Sequence, residues 1–205
     1  IAGATGTGKT KTLQVFVEQL SHKGIPTLVM DIKGDLSGIA VEGEQNDKIN
    51  ERYAKTQLPY QPQSFPVELM TISAEKGLKL RATVTEFGPV LLSKILGLNE
   101  TQSSIMSIVF KYADDKALPL IDLDDLKKVL QYVTDNADGK KELADNYGSI
   151  SPASLGAILR SIVAMEQQGA TSFFGEPSFD VEDLLQTRGG KGVVNVLRVA
   201  DIQNQ

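Results

Sequence analysis

Apolar residues at Leu13, Phe16, Val17 and Leu20 recur at three- and four-residue spacing, which predicts a helix ending before Gly24-Ile25-Pro26. Thr27–Asp31 follows as a short apolar run with strand character. Helix and strand joined so tightly predict an α/β sheet. Between Val41 and Pro66 the chain turns polar, rich in Glu, Gln, Asn and Lys, and reads as a surface insertion with at most one short helix. Val67–Ile72 has strand character, and Leu80–Thr85 is a candidate for a second short strand.

The pattern is then mostly helical, with 87–169 as a helical subregion. Pro89–Leu96 carries Leu91, Leu92 and Ile95 as its core face. Asn99 with Gln102 forms a capping-box pair that opens a helix striped by Ile105, Ile108, Val109 and Tyr112. Asp122 caps a further helix running to about Thr134. Ser151-Pro152 starts one carrying Leu155, Ile158, Leu159 and Ile162, which Gly169 ends. Asp180 opens a short helix to about Gln186, and Gly189-Gly190 turns the chain into Val193–Leu197, apolar enough to lie inside a sheet.

Composition narrows the chemistry. The 205 residues contain no cysteine and one histidine, His22, which excludes thiolate metal sites, cysteine nucleophiles and histidine clusters. A net charge of −5 makes the whole chain a poor electrostatic match for nucleic acid. No apolar run reaches the length of a membrane span and no signal-peptide pattern is present, so a cytoplasmic location is expected. Opening on Ile1 in front of a glycine-rich stretch, the sequence reads as a fragment.

That stretch carries the chemistry. Gly3-Ala4-Thr5-Gly6-Thr7-Gly8-Lys9-Thr10 fits the Walker A pattern throughout. Its glycines let the backbone amides turn inward to cradle phosphate oxygens, and the following helix adds its positive end. Lys9 supplies a point charge for the terminal phosphates and is the one candidate catalytic residue. Thr10 offers a hydroxyl to Mg²⁺. ATP and Mg²⁺ are therefore the expected cofactors. Hydrolysis also needs an acid at the end of an apolar strand. Leu28–Asp31 follows the loop after only one helix, and Leu118–Asp122 contains a proline and reads better as a helix cap, so the Walker B acid is expected outside this chain. Asp-x-x-Gly at Asp31 and again at Asp35 comes too early for a GTPase switch, and no Asn-Lys-x-Asp is present. A small-molecule kinase would want an arginine-rich lid, and the chain's five arginines do not cluster.

The loop at 3–10 together with Met30-Asp-Ile-Lys-Gly-Asp-Leu36 resembles the HerA/FtsK group of P-loop motor ATPases. Arg81-Ala-Thr-Val, Phe173-Phe-Gly-Glu-Pro177 and Gly190–Leu197 resemble its HerA-like bacterial branch. The resemblance spans nearly the whole chain. It implies an α/β P-loop fold of the ASCE type, incomplete here and interrupted by a largely helical insertion: one partial ATPase domain over 1–205. It also implies a Walker B strand beyond Gln205, a homo-oligomeric, often hexameric ring as the parent assembly, and DNA as the polymer acted on. The alternative is a nucleotide-gated interaction module with little turnover.

Other residues have more modest claims. Lys33 and Asp35 would lie on the strand-end rim where α/β ligands bind, near a terminal phosphate or a neighbouring subunit, with a solvated loop as the competing reading. Phe173 and Phe174 suit a core better than base stacking. Arg160, Arg188 and Arg198 are candidates for a charge-neutralising finger, each with a surface ion pair as its default. His22 suits the negative end of the first helix. Lys127-Lys128 and Lys140-Lys141 are too short for a DNA-binding stripe.

Overall fold

A computed structural model describes residues 1–57 and 59–199. In chain order its elements are α1 (Lys9–His22), β1 (Thr27–Asp31), α2 (Asp47–Thr56), β2 (Val67–Thr71), β3 (Leu78–Lys79), α3 (Val84–Ile95), α4 (Glu100–Asp115), α5 (Leu123–Asp135), α6 (Ala137–Tyr147), α7 (Pro152–Gln167), β4 (Thr187–Arg188), β5 (Lys191–Gly192) and β6 (Val194–Arg198). The fold is mixed α/β. Its sheet has the order β1-β6-β2-β3, and β6 runs parallel to both β1 and β2. Two compact units divide the chain, one of Ile1–Thr71, Glu75–Leu78 and the residues from Asp180 on, the other of Ile72–Ala74 and Lys79–Phe179.

In the first unit β6 is the centre of the sheet, as its run of apolar residues predicts. Thr27, Val194 and Val67 stand in one row across the three strands, and Asp31, Arg198 and Thr71 in another. Val194 and Val196 point to the face covered by Val17 of α1 and by Leu36 and Ile39 of a 3₁₀ turn, Leu36–Ala40. Asn195 faces the other way, fully buried, and its amide donates to the carbonyls of Leu184 (3.0 Å) and Thr27 (3.3 Å). Of the four apolar residues expected to anchor α1, Val17 is buried and Leu13 packs on the core, but Phe16 remains 59% exposed. Among the described residues the polar insertion holds one helix, α2, with no buried residue.

The second unit is a helical core. Leu92, Met106, Val109, Leu126, Leu130, Ile158 and Ile162 are sealed from solvent. The capping box at Asn99 forms as expected, Asn99 Oδ1 accepting from the Gln102 amide at 2.9 Å and Gln102 Oε1 from the Asn99 amide at 3.1 Å. Pro152 opens α7, although Ser151 makes no side-chain cap bond.

Two expectations are corrected here, and one helix is added. No strand occupies 80–85. Ala82 makes a single bridge to Phe174, after which a capping box turns the chain into α3, Glu86 accepting from the Thr83 amide and hydroxyl, both at 2.9 Å. The Thr83-x-x-Glu86 signature was legible and outweighs the strand propensity of its neighbours. The core face of α3 is also turned. Leu92 and Leu96 are buried while Leu91 and Ile95 are more than half exposed, because the Gly88-Pro89 kink sets where the second half of the helix faces. Finally, α6 was not anticipated. Its sequence is polar, and it forms because Asn136 caps it, accepting from the Asp138 and Gly139 amides, and Leu143 buries beside Tyr112 and Val133.

Candidate functional site

Residues 1–8 form an exposed turn leading into α1. Gly6 (φ 83) and Gly8 (φ 87) both occupy the left-handed region, and a Cβ at Gly3 would sit 2.6 Å from Thr7 Oγ1. The backbone therefore demands glycine at 6 and 8, whereas at Gly3 the neighbour is the Thr7 side chain. Thr7 closes the turn, its hydroxyl donating to the Ala4 carbonyl at 2.8 Å. Lys9 folds back over the loop and donates to the carbonyls of Gly3 (2.8 Å) and Ala4 (2.7 Å). Those bonds keep the ammonium at the loop rather than in solvent.

The start of α1 is open. Gly8 provides no side-chain cap, and no acidic residue lies in the first turn. The first amides of a helix lack internal partners, so here they and the positive end of the dipole are met by no side-chain cap and no acid of the helix's own first turn. Thr10 stands exposed in that turn, while His22 lies in the last one, where a cation suits the dipole. Gly3 to Thr10 are thus brought together as one continuous turn and helix start.

Asp31, weighed as a strand-end acid, is 3% exposed and turned toward its own chain. Its Oδ1 accepts from the amides of Lys33 (3.2 Å) and Gly34 (2.8 Å), and its Oδ2 from that of Leu36 (3.0 Å). Asp122 caps α5, accepting from the Asp125 amide at 2.9 Å. Asp31 is thus closed to a ligand, and Asp122 acts as a helix cap through one oxygen. Gln14, which sequence reasoning passed over, ties α1 to the loop after β1 by donating to the Asp35 carbonyl at 2.8 Å. No local signal marks a glutamine for such a bond across 21 residues.

Two finger candidates are engaged in ion pairs, Arg188 with Glu68 (2.6 Å) and Arg198 with Glu75 (3.1 Å), while Arg160 is exposed. Phe174 is buried and meets Phe87 edge to face at 5.4 Å, with Phe173 beside both, so the pair is core. Arg81, Ala82 and the segment 173–179 come together. The Arg81 guanidinium donates to the Glu176 carbonyl (2.8 Å), the Phe179 amide donates to the Arg81 carbonyl (2.9 Å), and Ser178 donates to Glu86 (3.1 Å). Among the described residues no group of three or more His, Asp or Glu is placed to hold a metal, and no single helix is long and apolar enough to cross a membrane.

No curated protein matches the chain. A family model does, over residues 1–205: that of the helicase HerA-like C-terminal family. The match takes in the glycine turn, the Asp31 loop and the segments joined at Arg81, and the chain belongs to the helicase HerA-like C-terminal family.

Proposed function

We propose that residues 3–10 bind the phosphates of ATP with Mg²⁺, and that the chain is the ATP-binding core of a HerA-like P-loop ATPase. The observation that carries this reading is an uncapped helix start, free of acidic residues, at a turn whose sequence is a full Walker A pattern. The donor set fits the ligand. Gly3, Ala4, Thr5, Gly6 and Gly8 would supply backbone amides, joined by Thr7 once its 3.4 Å amide bond to the Ala4 carbonyl gives way; Lys9 would supply the cation and Thr10 a hydroxyl oxygen for Mg²⁺. Bound Mg²⁺ would neutralise charge on the terminal phosphates, and Lys9 would hold them in place. Membership of the family supports a homo-oligomeric parent, with a hexameric ring and DNA translocation as the finer proposal.

Binding is separable from turnover. Both oxygens of Asp31 are taken by backbone amides and Asp122 caps α5, so Asp31 is not placed to polarise an attacking water and Asp122 serves a helix start instead. The chain should therefore bind ATP while releasing phosphate near the background rate. ATP-Mg²⁺ at a hundred times its dissociation constant should raise stability by about 2.7 kcal/mol, read as a higher melting temperature. Lys9→Ala should weaken binding by about 2–5 kcal/mol. It should cost the fold at most about 1 kcal/mol, since its two loop bonds are exposed. An unchanged melting temperature at saturating ATP-Mg²⁺, or equal affinity in wild type and Lys9→Ala, would sink the reading.

A further inference from the structure

We propose that Lys33 is a further phosphate-recognising residue, delivered to the terminal phosphate of a bound nucleoside triphosphate by a loop that Asp31 and Gln14 hold in place. The inference rests on residues 3–10 being the phosphate loop.

A link of four residues joins α1 to β1, so the two run antiparallel, and the loop leaving β1 opens at the same end as the loop entering α1. Ligands of open α/β sheets bind at that end of the strands. The loop at 32–36 is built rather than slack. Both Asp31 oxygens are taken by the three amides of Lys33, Gly34 and Leu36, and Gly34 takes a positive φ of 80°. The Ser37 hydroxyl donates to the Gly34 carbonyl at 3.1 Å, and Leu36 anchors the far side in the core. Gln14 then fastens the loop to α1 through the Asp35 carbonyl. Gln14 lies five residues beyond Lys9, about 8 Å along the helix axis, a gap that a lysine side chain and a phosphate group bridge together.

The charge on this loop is unspent. Asp31 is saturated by amides and the exposed Asp35 carboxylate does not pair with Lys33, so among the described residues the exposed Lys33 ammonium enters no ion pair. The rigid turn fixes where the Lys33 side chain starts, so on meeting an anion only that side chain's own freedom is lost and no loop has to be ordered. Lys9 and the glycine turn embrace the phosphates from within the loop, whereas Lys33 approaches from the neighbouring strand end and reaches only the outermost one. Its contribution is therefore to tell a triphosphate from a diphosphate. Asp31 and Gln14 are positioning residues, acting through Lys33.

The test is calorimetric titration of ATP-Mg²⁺ and ADP-Mg²⁺ into the wild-type chain and its Lys9→Ala, Lys33→Ala, Lys33→Arg and Gln14→Leu variants. Lys33→Ala should weaken ATP by about tenfold while changing ADP by less than about twofold. Lys33→Arg should restore the difference, and Gln14→Leu should lose part of it, again for ATP alone. Lys33→Ala binding ATP like the wild type, or losing ATP and ADP in equal proportion, overturns the proposal while Lys9-dependent binding leaves the phosphate-loop reading standing. Wild-type chain that binds neither nucleotide, or binds without needing Lys9, overturns both.

Discussion

Removing the Asp31 carboxylate should unravel the turn after β1 and weaken the unit that contains it. Asp31→Ala leaves three amide donors without their acceptor. Those of Lys33 and Gly34 belong to exposed residues and can be taken over by water, so each costs a fraction of the about 1.5–3 kcal/mol of a bond to a charged group. Leu36 is 3% exposed and packs with Val17 and Ile39, so its orphaned amide bears the desolvation penalty of about 1–3 kcal/mol. The whole change should cost about 2–4 kcal/mol. With a urea slope of about 2 kcal/mol/M, the midpoint should fall by about 1–2 M. Asp31→Asn keeps one acceptor oxygen and turns an NH₂ group toward the other donors, so it should lose about half as much. Asp35→Ala removes an exposed carboxylate while keeping the carbonyl that Gln14 uses, and should stay within about 0.5 kcal/mol of wild type. Circular dichroism in urea supplies the midpoints, and amide hydrogen exchange reads Leu36 directly. A midpoint within about 0.3 M of wild type in Asp31→Ala, or a Leu36 amide as protected as before, would refute this account of the turn.

Two predictions concern the helical unit. Leu126, wholly buried, should cost about 2–5 kcal/mol as Leu126→Ala, whereas Leu91→Ala, on the exposed face of α3, should cost far less, and equal urea midpoints for the two would show the helix face to be misassigned. Stability of this unit should also fall in acid. Glu86 is held below its ordinary value of 4.5, first by the bond from the Thr83 amide and then by the Thr83 hydroxyl. Lys111 lowers Asp115, Lys127 lowers Asp124 and Lys116 lowers Glu142, each by a hydrogen bond to the carboxylate. A carboxyl lowered on folding contributes stability above its unfolded value and loses it as the pH falls through the folded one. The loss should accordingly set in below about pH 4.5 and deepen with further acid. Glu86→Gln should flatten the pH dependence of the urea midpoint, and an unchanged profile would remove the capping box from the cause.

What the amino-acid order determined by itself was local. Gly6 and Gly8 declare a turn that other residues make only with strain, and Lys9 and Thr10 follow at the spacing a phosphate loop requires. Asn99 with Gln102, and Asp122, announce helix starts because a cap spans only three residues. The apolar run at Val194–Leu197 could be placed inside a sheet because only burial on both faces tolerates it. Tertiary structure decided what depends on partners far along the chain. Periodicity put Leu91, Leu92 and Ile95 on the core face of α3, and the kink at Gly88-Pro89 together with packing kept Leu92 but took Leu96 in place of Leu91 and Ile95. Phe16 had the spacing of a core residue but stayed in solvent, since the sheet and the Leu36–Ala40 turn meet α1 through Val17 and Leu13. Asp31 sits at a strand end in the sequence, as a metal-holding acid would. Only the returning path of residues 33–36 turned it into the hub of a loop, because a buried carboxylate takes the nearest donors that can satisfy it.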